Sequence, residues 1–267
     1  MTAPSPQPIL AARGLTKAYG QSRLGGSRTP TLAVNGVDLR IEEGQTVGLV
    51  GESGSGKSTI GRMLARLVAP TAGEIRYRGS DWLALEGADL RRSRRKIQVV
   101  FQNPYSSLDP KWRVARILAE PFRANTRLGA EEIRAKSAAL LESVGLSREA
   151  LDLYPHQFSG GQRQRICIAR AIALDPDILI ADEAVSALDV SVQAQILALL
   201  KDIRQSRNLS MLFISHDLSV VANLCDEVYV LKNGSVVENG PTRAVFEAPA
   251  SDYTRQLIEA IPGRGLD

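Results

Sequence analysis

The sequence predicts an α/β fold: a parallel sheet core with an N-terminal antiparallel β region and an inserted helical segment. The first observation is the glycine-rich stretch 51–58, which lies between an apolar run of strand length, 46–50, and a helical pattern that begins at Thr59. The second is a set of apolar runs at 97–101, 178–181 and 211–215, each followed by a polar residue. The third is a helical pattern from about 104 to 159. Strands alternating with helices are typical of a parallel sheet.

Composition sets limits on the class of protein. The chain has 267 residues, of which 44% are hydrophobic, and a formal net charge of +4, which permits an acidic partner without requiring nucleic acid. The basic run 91–96 is more typical of a solvated face than of a nucleic-acid or lipid patch. The two cysteines, Cys167 and Cys225, lie in apolar settings far apart and are expected to be reduced core residues.

The N-terminal part predicts a small antiparallel sheet. Residues 1–8 are proline-rich and are predicted to be disordered, and short apolar stretches punctuated by glycines follow from 9 to 47. The segment 21–31, rich in Gly, Ser and Arg, is predicted to be a surface loop. Tyr19 precedes this loop, where an aromatic ring can stack on a base, although a lone tyrosine is more often a packing residue.

The glycine-rich stretch is a P-loop in the context that this motif needs, because it connects a strand to a helix. Its glycines let the backbone turn successive N–H groups inward at a helix N-terminus, where they form a nest for a polyphosphate. Lys57 would supply a mobile positive charge to the β- and γ-phosphates, and the Ser58 hydroxyl would be an oxygen ligand for Mg²⁺. The residues predicted to bind nucleotide here are Gly51, Glu52, Ser53, Gly54, Ser55, Gly56, Lys57, Ser58 and Thr59.

Polar residues at the ends of the other strands predict the rest of a catalytic edge. Gln102, Asp182 with Glu183, and His216 each follow an apolar run directly. Ligands of open α/β sheets bind outside the carboxyl ends of the strands, so these groups are expected to serve one site. Asp182 would hold Mg²⁺ and Glu183 would be the general base for an attacking water, whereas His216 would contact the γ-phosphate. For Asp182 and Glu183, the alternative is a structural role in which the pair caps a helix.

The remaining segments predict further helices and a closing hairpin. Within 104–159, Gly145 is predicted to end a helix that carries Ile133, Leu140 and Leu141. Asp189 is predicted to cap a helix, residues 228–237 read as a closing hairpin around Asn233-Gly234, and the tail from Tyr253 reads as a short amphipathic helix.

A second glycine-containing helix start lies at 158–162. Ser159, Gly160 and Gly161 precede a helical pattern and present backbone N–H donors, which predicts a second anion site. One nucleotide cannot easily use both sites within one subunit. The expected solution is a head-to-tail pair, in which this segment of one chain closes over the γ-phosphate held by the other.

Together these motifs resemble the nucleotide-binding subunit of ABC transporters. The resemblance rests on Walker A at 51–58, Gln102, the signature Phe-Ser-Gly-Gly-Gln at 158–162, Walker B at 178–183, Ser-Ala-Leu-Asp at 186–189 and His216, and it covers nearly the whole chain. It implies a RecA-like P-loop NTPase that uses ATP and Mg²⁺. It assigns adenine stacking to Tyr19, a loop that senses Mg²⁺ and the membrane subunit to Gln102, contact with the opposite site to Asp189, and nucleotide contacts to Ser159, Gly160, Gly161 and Gln162.

The same resemblance implies a domain organisation. A disordered start at 1–8 precedes an ATP-binding core with the antiparallel subdomain at 9–103, a helical subdomain with the signature at 104–170, the remaining core at 171–248 and a family tail at 249–267. The implied catalytic residues are Lys57, Gln102, Glu183 and His216, and the implied Mg²⁺ ligands are Ser58, Gln102 and Asp182.

The segment 99–110 and the ending 253–262 look further like the oligopeptide, dipeptide and nickel importer branch. This branch implies two membrane permeases, a second nucleotide-binding subunit, a separate solute-binding protein, a place on the cytoplasmic face of the membrane and no nucleic acid. Phe158 stands where Leu is common and Ala184 where Pro is usual, but neither change removes a chemical group. The clustered cysteines of members with an iron–sulfur motif are not in this sequence, so no cluster is predicted.

The solute and some alternative classes stay open at this point. Peptides are the leading solute, and nickel is the rival because Ala184 is reminiscent of some nickel members. No apolar run approaches the roughly 18 residues of a membrane span, so the chain would have to dock on other subunits. A soluble ABC ATPase would need tandem domains or long heptad arms, a P-loop kinase would not need the signature or His216, and the branch favours import over export.

Overall fold

The computed structural model describes residues 7–20 and 31–261. Most of the N-terminal stretch predicted to be disordered and most of the predicted surface loop, namely 1–6 and 21–30, lie outside these ranges. The chain divides into two compact units, 1–87 with 210–267 and 88–209. Within the described ranges, no helix combines the length and apolarity that crossing a membrane requires.

The first unit contains two groups of strands. Its elements are β1 (Leu10–Tyr19), β2 (Thr31–Ile41), β3 (Thr46–Val50), α1 (Lys57–Leu64), β4 (Ala72–Tyr77), β5 (Ser80–Asp81), β8 (Ser210–Ile214), α8 (Leu218–Leu224), β9 (Glu227–Lys232), β10 (Ser235–Pro241), α9 (Thr242–Glu247) and α10 (Asp252–Glu259). The antiparallel sheet has the order β2-β1-β4-β5 and confirms the predicted β subdomain. Its strands bury alternating residues such as Leu10, Ala12, Leu39 and Ile41.

Strand β3 is the centre of the parallel strands in this unit. It pairs in parallel with β8, where Leu49 is opposite Ile214, and with β9, where Val50 is opposite Val230. All five residues of β3 are buried, as expected for a strand covered on both faces. The hairpin from β9 to β10 turns at Asn233 and Gly234, whose φ angles are 50° and 82°, so the predicted closing hairpin is confirmed.

The second unit combines two parallel strands with most of the helices. Its elements are α2 (Gly87–Arg94), β6 (Ile97–Val100), α3 (Pro104–Ser107), α4 (Val114–Asn125), α5 (Ala130–Ser143), 3₁₀ turns at Arg148–Asp152 and Pro155–Gln157, α6 (Gly160–Ile172), β7 (Ile178–Asp182) and α7 (Val190–Arg207). Strands β6 and β7 are parallel neighbours. The helical pattern of 104–159 is therefore confirmed.

Apolar residues of two helices, among them the predicted Leu140 and Leu141, form the core of the helical segment. Ile117 and Leu118 of α4 and Leu140 and Leu141 of α5 are buried. Helix α5 ends as the sequence predicts, because Gly145 follows the last turn with a φ of 71°. Helix α2 carries residues 91–94 of the basic run and contributes no buried side chain, as expected for a solvated face, whereas residues 95 and 96 are half-buried.

Candidate nucleotide-binding and catalytic site

The P-loop begins where β3 ends and closes on the start of α1. Gly51, Gly54 and Gly56 have φ angles of 145°, 80° and 103°. A Cβ at Gly51 would lie 2.1 Å from the Leu231 carbonyl oxygen, and one at Gly56 would lie 2.4 Å from the Ala33 carbonyl oxygen. Two of these positions therefore exclude every side chain, both through backbone conformation and through the close approach of another strand.

Lys57 is the cation inside this loop. Its residue is 4% exposed, and its Nζ donates to the carbonyl oxygens of Gly51 at 2.8 Å and Glu52 at 2.7 Å and to Ser55 Oγ at 3.4 Å. The ammonium group is thus held among the loop's own oxygens at the N-terminus of α1. A positive charge beside the unpaired N–H groups of a helix start is suited to binding a polyanion.

The hydroxyl residues of the loop differ in accessibility. Ser55 is buried, and its carbonyl accepts from the Gly234 N–H at 3.0 Å, whereas Ser53 is exposed. Ser58 and Thr59 lie half-buried in the first turn of α1. The cradle formed by Gly51, Gly56 and Lys57 suits a phosphate chain, because a loop with positive φ angles brings backbone N–H donors and one cation together at a helix start.

Tyr19 and His216 belong to the same unit as the P-loop. Tyr19 ends β1 with 43% of its surface exposed, and the Lys17 ammonium nitrogen lies 5.2 Å from the centre of its ring. This exposure leaves ring surface for a stacking partner. His216 is exposed in the connection between β8 and α8, where Asp217 caps α8 by accepting from the Ser219 N–H at 2.9 Å.

In the second unit, the end of β7 brings the acidic pair together with Gln102. Asp182 is the last residue of β7 and is 6% exposed, and Glu183 follows in a left-handed conformation with a φ of 50°. Gln102 Nε2 donates to Glu183 Oε2 at 2.9 Å, so the amide orients the carboxylate. Ala184, which replaces the usual proline, is buried.

Ser186 is a contact of this group that sequence reasoning missed. Gln102 Nε2 also lies 3.3 Å from Ser186 Oγ, and Ser186 Oγ donates to the Glu183 carbonyl oxygen at 3.0 Å. The hydroxyl therefore touches both the glutamine and the backbone of the glutamate. A serine three residues after the glutamate was the available signal, since this spacing suits a turn in which the side chain returns to the backbone.

The signature segment starts α6 with a reciprocal cap. Ser159 Oγ accepts from the Gln162 N–H at 3.3 Å, and Gln162 Oε1 accepts from the Ser159 N–H at 3.0 Å. Two of the predicted anion donors are thus used within the segment. Gly160 and Gly161 occupy the first two positions of the helix, where N–H groups have no intrahelical acceptor.

Asp189 begins α7 without the expected hydrogen bond. It occupies the N-cap position of α7, but its side chain makes no capping hydrogen bond, so that part of the prediction is wrong. The preceding turn is held instead by Gln193, whose Nε2 donates to the carbonyl oxygens of Val185 and Leu188, both at 3.0 Å. The Asp189 carboxylate is therefore available for the intermolecular contact that the family resemblance implies.

Tyr105 and Arg163 make a second contact that the sequence did not reveal. The Arg163 guanidinium carbon lies 4.2 Å from the centre of the Tyr105 ring, and its Nε donates to the Pro155 carbonyl oxygen at 2.7 Å. This pair connects the segment after Gln102 to the first turn of the signature helix. The contact with the ring and the hydrogen bond to Pro155 together restrict the movement of the Arg163 side chain.

The sequence of this chain is similar to those of transport ATP-binding proteins. The ABC transporter family model matches residues 34–186. The dipeptide transport ATP-binding protein DppF of Haemophilus influenzae is 48% identical over 96% of this chain and 78% of its own length. DppF of Escherichia coli is 49% identical over 96% of this chain and 77% of its own length.

Solved structures give the same result for the fold. The dimeric ATP-binding cassette MJ0796, in a post-hydrolysis state with ADP and phosphate bound, superimposes with a TM-score of 0.78 and 31% identity, over 88% of this chain and 99% of that chain. The protein cbiO1 from Clostridium perfringens, part of the ABC transporter complex cbiONQ, has a TM-score of 0.78 and 27% identity over 90% of this chain and 91% of that chain. The chain belongs to the ABC transporter family.

Proposed function

We propose that this chain is the ATP-hydrolysing subunit of an importer that moves peptides across the cytoplasmic membrane. The observation that carries the solute assignment is the nearly full-length similarity to two proteins named for dipeptide transport. ABC family membership makes the chain an ATPase, and the P-loop, Gln102 and Glu183 are the groups expected to perform the chemistry.

Phosphate binding is the role of the P-loop and Lys57. The Lys57 ammonium has three N–H donors, which contact loop oxygens in the structure. Exchanging a loop oxygen for a phosphate oxygen needs only a small movement of a side chain that already lies inside the cradle. The backbone N–H groups of the loop would hold the remaining phosphate oxygens, and Tyr19 would stack on the base.

Magnesium is the expected companion of the nucleotide. Ser58, Asp182 and Gln102 offer the oxygen ligands that Mg²⁺ prefers, and the Gln102 amide nitrogen is turned towards Glu183, which leaves its carbonyl oxygen as the ligand atom. When bound, the ion would neutralise charge on the β- and γ-phosphates.

Glu183 is the proposed general base. Its carboxylate can accept a proton from water, and the amide of Gln102 fixes one of its oxygens at 2.9 Å. His216, the proposed γ-phosphate contact, would steady the water. Ser159, Gly160, Gly161, Gln162 and Asp189 would contact the nucleotide held by a second nucleotide-binding subunit.

Transport requires partners that this chain does not contain. The proposed assembly has two transmembrane permeases, a second nucleotide-binding subunit and a separate solute-binding protein, with this chain on the cytoplasmic face of the membrane and without nucleic acid. ATP would clamp the two nucleotide-binding subunits together, and hydrolysis would release them, so that the helical segment transmits movement to the permeases.

The test is ATP turnover by the purified chain, alone and after co-expression with the proposed membrane subunits. Turnover should rise in the assembled complex, and Glu183→Gln should lower it by about 10²- to 10⁴-fold while ATP still binds. Glu86→Gln, which changes an exposed glutamate, is the matched control and should retain turnover. High turnover that ignores the membrane subunits would instead indicate a soluble ABC ATPase and would overturn the importer assignment.

A further inference from the structure

The P-loop is contacted from behind by residues far along the chain. The carbonyl of Leu231 lies against Gly51, and the Gly234 N–H donates to the Ser55 carbonyl at 3.0 Å. The third contact comes from α10, where the Tyr253 hydroxyl accepts from the Glu52 N–H at 3.3 Å. The β9–β10 hairpin and α10 therefore pack against the P-loop.

The position of Tyr253 is itself fixed on several sides. The residue is 8% exposed, and the Lys232 ammonium nitrogen lies 4.4 Å from the centre of its ring. The start of α10 is anchored to β10, because Glu238 accepts from the Ala250 N–H at 2.8 Å and from the Ser251 N–H at 3.0 Å. Burial raises the pKa of Tyr253, so the hydroxyl stays neutral at physiological pH.

Glu52 connects this tyrosine to the phosphate-binding lysine. Its N–H donates to Tyr253, and its carbonyl oxygen accepts from Lys57 Nζ at 2.7 Å. The Glu52 backbone is thus fixed at both ends, by the tail on one side and by the lysine on the other. If the hydroxyl is removed, Glu52 can turn, and the oxygen that orients Lys57 moves with it.

We propose that Tyr253 is a positioning residue for nucleotide binding, which acts through the Glu52 backbone to keep the P-loop and Lys57 in the conformation that receives phosphate. The last helix then sets the ATP affinity of the subunit in addition to packing on the core. This inference rests on the proposed ATPase function, since it concerns the same phosphate site.

Tyr253→Phe tests the inference, because it removes the hydroxyl and keeps the ring beneath Lys232. Tyr229→Phe is the matched control: Tyr229 is also buried, and its hydroxyl accepts from the Arg40 N–H at 3.4 Å, away from the loop. One hydrogen bond corresponds to about a 3- to 10-fold change in an equilibrium constant. We expect Tyr253→Phe to raise the Kd and the KM for ATP by this factor with kcat nearly unchanged, whereas Tyr229→Phe leaves both constants as in the wild type.

Titration of the purified chain with a fluorescent ATP analogue, steady-state kinetics and thermal unfolding supply the readouts. An unchanged Kd and KM in Tyr253→Phe, or equal changes in the two variants, would overturn the inference and leave the proposed function intact. A wild-type chain that binds no nucleotide would instead overturn the proposed function. Similar melting temperatures for the two variants, together with a KM effect confined to Tyr253→Phe, would support positioning over a purely structural role.

Discussion

The burial of Cys167 determines the reactivity of its thiol. Cys167 lies on α6 and is 3% exposed, and burial raises the pKa of its thiol from 9.0 to about 11. The reactive form of cysteine is the thiolate, so this shift lowers its fraction about 100-fold at neutral pH. Cys167 is therefore expected to be chemically inert in the folded chain.

We predict that a thiol-reactive chromophore at pH 8 labels Cys167 at least about 100-fold more slowly in the folded chain than in denaturant. The Cys225→Ala variant isolates the signal of Cys167. Because folding raises this pKa, the contribution of the thiol to stability is complete below pH 9.0 and is lost as the pH rises towards 11. Labelling of the native variant at the rate of a free cysteine would contradict the burial of this side chain.

Some side-chain positions could be predicted from the local sequence, whereas other contacts depend on the folded chain. The positions of Asp182 and Glu183 at the end of β7, and of Lys57 at the start of α1, could be predicted, because continuous apolar runs mark the strands that precede them. The spacing after Glu183 offered a signal for the backbone contact of Ser186, whereas no spacing could predict the contact of Tyr253. Tyr253 meets Glu52 across 201 positions of sequence, a relation that only the packed structure provides.

At the scale of elements, the P-loop combines two kinds of glycine. A Cβ at Gly51 would lie 2.1 Å from the Leu231 carbonyl oxygen, whereas one at Gly54 would meet nothing within 4 Å. Both have positive φ angles, so alanine strains the backbone at either position, at a cost of about 1 to 2 kcal/mol. Of these two glycines, only Gly51 would also bring a Cβ into a steric clash with a neighbouring strand.

We predict that Gly51→Ala lowers the melting temperature of the nucleotide-free chain clearly more than Gly54→Ala, which should lose only the backbone term. Thermal unfolding followed by circular dichroism measures the difference. Both substitutions add one methyl group at a residue with a positive φ angle. The difference between the two melting temperatures therefore reports the close approach of β9 to the loop. Equal losses in the two variants would show that the backbone conformation alone requires glycine at position 51.

Elements with a clear apolar pattern were predictable, and those without one were not. The runs that became β3, β7 and β8 are continuous and buried, so these strands could be predicted from the sequence, with their ends within one residue. Helix α2 buries no side chain, so no periodicity marks it. Strand β4 lies beside β1 in the antiparallel sheet, and this pairing depends on long-range contacts that the local pattern does not encode.

At the scale of the whole molecule, the signature segment implies a dimer. Gly160 and Gly161 occupy the first two positions of α6, where N–H groups have no intrahelical acceptor, and the proposed ligand of these groups is a phosphate bound to another copy or a paralogous subunit. A chain that binds ATP without hydrolysing it should hold this dimer longest. In the proposed pair, the two subunits would share their nucleotides across a head-to-tail interface.

We predict that, if identical chains pair, Glu183→Gln sediments as a dimer with ATP and Mg²⁺ and as a monomer without nucleotide. Adding Lys57→Ala to this variant should abolish the shift, because phosphate binding is lost. Analytical ultracentrifugation measures both states. A sedimentation coefficient that is indifferent to ATP, in a chain shown to bind ATP, would exclude the homodimer and direct attention to a paralogous partner.

The importer proposal is tested by ATP-driven uptake of a labelled dipeptide into proteoliposomes that contain this chain together with the proposed permeases and solute-binding protein. We predict uptake that requires ATP and disappears with Glu183→Gln, and no comparable uptake of labelled nickel. Nickel uptake without dipeptide uptake, in an assembly whose ATP turnover is intact, would contradict the peptide assignment.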